Sequence, residues 1–118
     1  MDSNVVKDPR IWGGPAWILL HCVSFSYPTR PSNADKKKYK TFFQSLQNVL
    51  PCKKCQEHYK EYLKKNPIDK HLQSQRALAK YVIDLHNHIN TNYKKRPRLS
   101  YSQAKDEIFN FCLQQKIK

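Results

Sequence analysis

Only two glycines, Gly13 and Gly14, occur in the 118 residues of this chain, and they are adjacent. A dinucleotide-binding G-x-G-x-x-G turn and a phosphate-cradling P-loop both need glycines spaced along a strand–helix junction, so neither can be written here. Any nucleotide cofactor must be held by a different architecture. The apolar residues indicate which one, because they recur at helical spacing in five segments with no convincing strand between them. The first segment follows Pro15, which suits an early helical position, and runs to about Tyr27, ahead of Pro28. The second carries Tyr39, Phe42, Phe43, Leu46, Val49 and Leu50 and stops at Pro51. The third begins at Cys52-Lys53-Lys54-Cys55 and aligns Cys55, Tyr59, Tyr62 and Leu63 on one face. The fourth opens near Ser74, with Leu78, Val82, Leu85 and Ile89 as its stripe. A short fifth after Ser100 aligns Tyr101, Ala104, Ile108, Phe111 and Cys112. The connectors "PTRPSN", "NPIDKHL" and "KKRPR" carry ordinary turn chemistry. The expected fold is therefore a compact all-α bundle of four main helices plus a short fifth, forming one domain over residues 1–118. It is either a whole protein or the core of a longer one.

Lysine and arginine outnumber acidic residues 22 to 9, for a formal charge of +13. That balance reads equally as a solvated basic surface or as a preference for anionic partners. No apolar run approaches a membrane span and "MDSNVVKDPR" lacks a signal-peptide core, so no membrane insertion is expected and no targeting signal is visible. No nucleic-acid motif accompanies the lysines, so no specific nucleic-acid partner is expected either.

The cysteines carry the chemistry. Cys52 and Cys55 could be two small core thiols, but that leaves their pairing and their flanks unexplained. They could join His58 in a zinc site, although a fourth ligand is hard to find, since His86 and His88 diverge on a helix. The redox reading accounts for more. Pro51 leads into a helix whose first turn holds both sulfurs, so free amides and the positive end of the dipole face them, with Lys53 and Lys54 adding charge. Both effects stabilise a thiolate, and a CxxC disulfide opens readily by exchange. The other two, Cys22 and Cys112, read as buried thiols, with a bridge between them left open.

Two further constellations stand elsewhere. Trp17 and His21 lie four apart on one helical face, as do His86 and Asn90 on another. Polar groups beside apolar stripes must be satisfied by neighbours or by a ligand, and together these four suit a planar, hydrogen-bonding aromatic ligand between helices.

These motifs occur in an order that resembles the FAD-linked sulfhydryl oxidases of the Erv/ALR type. They are W-x-x-x-H followed by Y-P (Trp17, His21, Tyr27, Pro28), P-C-x-x-C with an aromatic four residues on (Tyr59), and H-N-x-[VI]-N (His86, Asn87, Ile89, Asn90), covering about Ile11 to Tyr101. The resemblance implies a helical bundle holding FAD without a Rossmann element. It implies that Cys55 lies beside the flavin and that Cys52 meets incoming thiols of a protein dithiol substrate. Electrons then pass to FAD and on to oxygen, with hydrogen peroxide as the product. By the same likeness Gly13, Gly14, Trp17, His21, Tyr59, His86, Asn87, Ile89, Asn90 and Tyr101 belong to the cofactor site, with Lys94 and Lys95 near its pyrophosphate and no metal.

The sequence departs from the family at three places. A disulfide common in the family, from the H-N-x-V-N helix to the next loop, is absent, since Ile83 and about Ser100 occupy that region. Tyr81 stands where a tryptophan is common, and Lys94 where glycine is. This minimal set of cysteines resembles the members encoded by large DNA viruses, which implies host cytoplasm, viral assembly sites or the virion. A homodimer is expected through the first two segments, which carry more apolar surface than one stripe per helix needs, including Ile18, Leu19, Leu20 and Phe43. With no bridging cysteines, reductant should leave such a dimer intact.

Overall fold

The computed structural model describes residues 4–117, and every element of regular structure among them is helical. A single turn, α1 (Asn4–Lys7), precedes α2 (Pro9–Phe25). Then follow α3 (Asn33–Val49), α4 (Lys53–Lys65), α5 (Gln75–Tyr93) and α6 (Tyr101–Ile117). One 3-10 turn, Ile68–His71, lies between α4 and α5.

Capping chemistry explains most of the boundaries. Ser32 accepts from the Asp35 amide while the Asp35 carboxylate accepts from the Ser32 amide, a reciprocal box that starts α3. Ser74 accepts from Ala77 at 3.1 Å to open α5. Ser100 and Gln103 exchange hydrogen bonds in the same way at the start of α6.

Two expectations are corrected. The first long helix begins at Pro9, six residues before Pro15, because Asp8 caps it through the Arg10 amide at 2.9 Å and Pro9 takes the N1 position. Pro15 therefore lies inside α2, where it lacks the amide that would bond the Ile11 carbonyl. The last helix is not short: its 17 residues equal α2 and α3, since nothing between Tyr101 and Ile117 breaks a helix. The connector "NPIDKHL" also contributes more than a turn, because Ile68 is almost wholly buried against the core.

α2 packs along α5, and α3 along α4, with the 3-10 turn and α6 also seated on α5. Phe43, Leu78, Val82 and Leu85 are fully buried where these helices meet. The tyrosine hydroxyls in this core reach backbone carbonyls, as buried phenols must. Tyr27 donates to Leu72 at 2.7 Å, Tyr81 to Asn66 at 2.6 Å, and Tyr59 to Phe43. Tyr27, from the Y-P pair, thus ties the end of α2 to the approach to α5. Tyr81 is a core residue among Tyr62 and His71. No helix among the described residues is long and apolar enough to cross a membrane.

Candidate functional site

Cys52 has extended backbone and serves as the N-cap of α4, its Sγ accepting from the Cys55 amide at 3.3 Å. Gln56 fastens the preceding turn by donating to the Leu50 carbonyl at 2.7 Å. Both cysteines are free thiols and half-buried. The local sequence therefore sets the spacing and the helix end, as its motif indicates.

The surroundings come from other helices. Residues 13, 16, 17 and 20 of α2 recur at helical spacing, so one face of that helix forms a wall of a cavity of about 520 Å³. Cys52 and Cys55 line the same cavity, with Tyr59 from α4 and Ile89, Tyr93 and Lys94 from the end of α5. The walls are mostly apolar, with Lys54, His58 and Lys94 as the basic groups among them. Lys94 lies so close to α2 that a Cβ on Gly13 would meet its Nζ at 3.8 Å.

Electrostatics separate the two thiols. Burial, then the hydrogen bond and charge of Cys52, push Cys55 up to about 12, while Lys94 and the helix amide pull in the opposite direction. The thiolate stabilisation expected at this helix end is thus outweighed by burial at Cys55 in the dithiol state. The cation acting on it is Lys94, far along the chain, rather than the neighbouring Lys53 and Lys54.

Behind the Trp17 wall lies a buried histidine pair. Trp17 stacks on His86 at 4.0 Å and 9°, and His86 Nδ1 and His21 Nε2 share a hydrogen bond of 2.9 Å. The packing of α2 on α5 brings together the two pairs that the sequence sets four residues apart. Burial lowers His21 to about 4, and burial, then His21, Lys94 and Arg96, lower His86 to about 3. Both rings are therefore neutral near pH 7. His21 Nδ1 and Asn90 Oδ1 are buried with no hydrogen-bond partner in the protein. Two orphaned polar atoms beside an apolar cavity fit a ligand that is aromatic in body and polar at its edge.

Of the remaining candidates, all but His58 stand apart from the cavity. Gly14 is exposed, with open space where a Cβ would point. Asn87 is buried, but both ends of its amide are used by the Leu99 backbone, at 2.8 and 2.9 Å. That pair fastens the loop after α5 to the helix, in the region where the absent family disulfide would act. Lys95 is exposed at φ 52°, a left-handed turn that lets the Arg96 amide reach the Asn90 carbonyl at 2.9 Å. Tyr101 packs against Phe25 beneath Arg76. His58, the third ligand of the zinc reading, lines the cavity and stacks on Tyr93 at 3.6 Å and 7°. No group of three metal-ligating side chains occurs among the described residues.

Sequence reasoning missed Trp12, Leu20, Leu50 and Tyr93 as walls of the cavity. Trp12 could have been found once the first helix was extended back to Pro9, and Leu20 from its spacing three residues after Trp17 on the same face. Tyr93 is placed by the end of α5 and left no comparable signal. The expected burial of Cys22 and Cys112 is also corrected, since both are exposed.

An all-α protein with a CxxC at a helix N-terminus, opening onto an apolar cavity between helices, is a dithiol protein of a non-Rossmann class. The profile of the Erv1/Alr family matches residues 15–110, most of the chain, and the protein belongs to that family. A probable FAD-linked sulfhydryl oxidase of Acanthamoeba polyphaga mimivirus is 41% identical over 101 residues, covering 85% of this chain and 70% of that relative. A putative FAD-linked sulfhydryl oxidase of invertebrate iridescent virus 3 is 34% identical over 93 residues, covering 79% of this chain and 62% of the viral protein. The crystal structure of the yeast Erv1 core superposes with a TM-score of 0.76 at 26% identity, over 80% of this chain and 78% of that one.

Proposed function

We propose that this protein is an FAD-dependent sulfhydryl oxidase that makes disulfides in protein dithiols and yields hydrogen peroxide. The observation that carries this reading is the convergence of Cys52, Cys55, Trp17 and Lys94 on one apolar cavity, with the His21 and Asn90 orphans behind it. Names of the viral relatives as FAD-linked sulfhydryl oxidases support it.

With Cys52 and Cys55 joined, a substrate thiolate attacks Cys52 Sγ and the S–S electron pair leaves on Cys55 as a thiolate. Lys94 lies where it offsets that charge, against the burial that otherwise disfavours it. The second substrate thiol then attacks the mixed disulfide, releasing the oxidised substrate and leaving the Cys52–Cys55 dithiol. The chemistry that bound FAD would supply here is acceptance of the dithiol's electron pair and its transfer to oxygen. Gly13, Trp17, Tyr59, Ile89 and Lys94 would hold its ring region, and His21, His86 and Asn90 would supply polar partners. Asn87 and Lys95 would act at one remove, by holding the turn that carries Lys94, while Gly14 and Tyr101 lie at the margin. Neutral histidines suit this task, because a buried imidazolium beside Lys94 would be costly.

The purified protein is expected to be yellow, to bleach under anaerobic dithiothreitol and to recover in air with peroxide released. A colourless protein that takes up no added FAD would defeat the reading, and stoichiometric zinc in it would favour the metal site.

The same reading extends to assembly as a homodimer. Leu20 and Phe43, counted toward an interface from the sequence, are core residues, but Ile11 and Leu19 on α2 and Val49 on α3 remain more than half exposed. Apolar side chains of that size on the first two long helices suit an isologous contact. Light scattering should give twice the chain mass with or without reductant, and a monomer at micromolar concentration would refute the assembly. We read such a dimer as acting in host cytoplasm, at viral assembly sites or in the virion, a reading that the virus-encoded relatives support.

A further inference from the structure

Cys22 and Cys112 take no part in the chemistry above, yet the fold places them together. Phe25, near the end of α2, packs its ring against Phe109 of α6 at 5.1 Å and against Tyr101 at 6.4 Å. One turn back along α2 from Phe25 is Cys22, and one turn forward along α6 from Phe109 is Cys112. In an antiparallel helix pair those two positions face each other, one step beyond the aromatic contact. The two thiols also sense each other: burial, then the charge and hydrogen bond of Cys112, raise Cys22 above the ordinary thiol range. Both side chains are exposed, so a dissolved oxidant reaches them.

α6 is the helix with most to gain from such a link. Ala104 and Ile108 are its buried residues, whereas Phe109, Phe111 and Leu113 are exposed to 44, 40 and 58%. Its C-terminal half therefore lies on the surface with little apolar burial to hold it.

We propose that Cys22 and Cys112 form an intramolecular disulfide that staples the last helix to α2 and makes its attachment redox-dependent. The oxidant is a low-molecular-weight disulfide such as oxidised glutathione, so the step stands apart from Cys52 and Cys55. One thiolate attacks the oxidant, forming a mixed disulfide and releasing one thiol. The other thiolate then attacks the protein sulfur of that intermediate, closing Cys22–Cys112 and releasing a second thiol. Two thiol protons leave the protein, and the two electrons reside on the reduced oxidant. The bridge closes a loop spanning most of the chain, the case in which a crosslink most restricts the unfolded state.

The test uses the full chain carrying Cys52→Ser and Cys55→Ser, which leaves only these two thiols. After oxidised glutathione at mildly alkaline pH, denaturation and alkylation, mass spectrometry should find a monomer without alkylated cysteine and a peptide pair linked through Cys22 and Cys112. Its Tm should exceed that of the reduced form by roughly 5 °C or more. Adding Cys22→Ser or Cys112→Ser should abolish both the linkage and the Tm difference, with unchanged helicity by circular dichroism. Two alkylated thiols, stable glutathione adducts at each, or a chain-to-chain dimer under non-reducing conditions would each overturn the proposal.

Discussion

The two sides of α2 treat similar chemistry in opposite ways. Its inner face, at Gly13, Ala16, Trp17 and Leu20, walls the cavity in which Cys52 and Cys55 lie. Cys22, two residues past Leu20 and half a turn around the helix, faces outward toward α6. The inner pair belongs to one helical turn, so its geometry is local and its disulfide opens and closes with little rearrangement. The outer pair joins helices from opposite ends of the chain, so its disulfide constrains the fold. A thiol pair becomes a catalyst or a staple according to what separates its members in sequence and what surrounds them in space.

The largest test of this contrast is activity. Cys52→Ser and Cys55→Ser should each reduce dithiol-dependent oxygen consumption to background, whereas Cys22→Ser and Cys112→Ser should stay within about twofold of the parent. Oxygen-electrode traces decide it, and a large loss from either outer serine would collapse the distinction.

Stability should show the same asymmetry. Leu20 is buried on the inner face and Leu19 is 57% exposed. Leu20→Ala is expected to cost about 3 kcal/mol in urea unfolding. Leu19→Ala should cost under about 0.5 kcal/mol in a monomer, and a larger, concentration-dependent loss would place it in a dimer interface.

The inner face also predicts a pH dependence. His21 and His86 have folded values of about 4 and about 3, below the unfolded 6.5. The unfolded chain therefore binds more protons as pH falls below about 6.5, and stability present above that pH is lost progressively on acidification. The slope is at most about 1.4 kcal/mol per pH unit for each ring. The carboxylates of Asp8 and Asp35 are held below the ordinary carboxylate range by hydrogen bonds from Arg10 and Ser32, so they leave the range above about pH 5 to the histidines. Denaturant midpoints that stay flat between neutral pH and about pH 5 would contradict the buried, neutral pair.

The smallest expected effect separates the thiols by their cation. Lys94 lowers Cys55. Replacing it in Lys94→Met should move the pH profile of Cys55 alkylation upward and slow it a few-fold near neutrality. Alkylation of Cys22 should not change. Equal slowing of both would indicate a general loss of structure, and no change at Cys55 would remove Lys94 from the site.

Much of this was legible from residue order, and the reason is physical. Helical spacing of apolar residues is a one-dimensional signal, so the stripes of α3, α4 and α5 could be read directly, as could the serine caps at Ser74 and Ser100. The Cys52–Cys55 pair and the W-x-x-x-H and H-N-x-[VI]-N groups are equally local, and their order points to the family. The start of α2 was misjudged because Pro15 offered a competing signal to Asp8-Pro9. α6 ran longer than expected because its weak stripe concealed an uninterrupted run of helix formers.

What sequence alone determined, then, is everything carried by neighbours along the chain: an all-α architecture, a CxxC on a helix end, and the exclusion of glycine-rich nucleotide folds. Tertiary structure alone decided that Lys94 rather than Lys53 or Lys54 acts on Cys55, that His21 and His86 are hydrogen-bonded to each other, and that Cys22 meets Cys112 in the open. Each of these depends on which helices pack together and in what register. Packing is selected by burial summed over many side chains, so no single stretch of sequence records it.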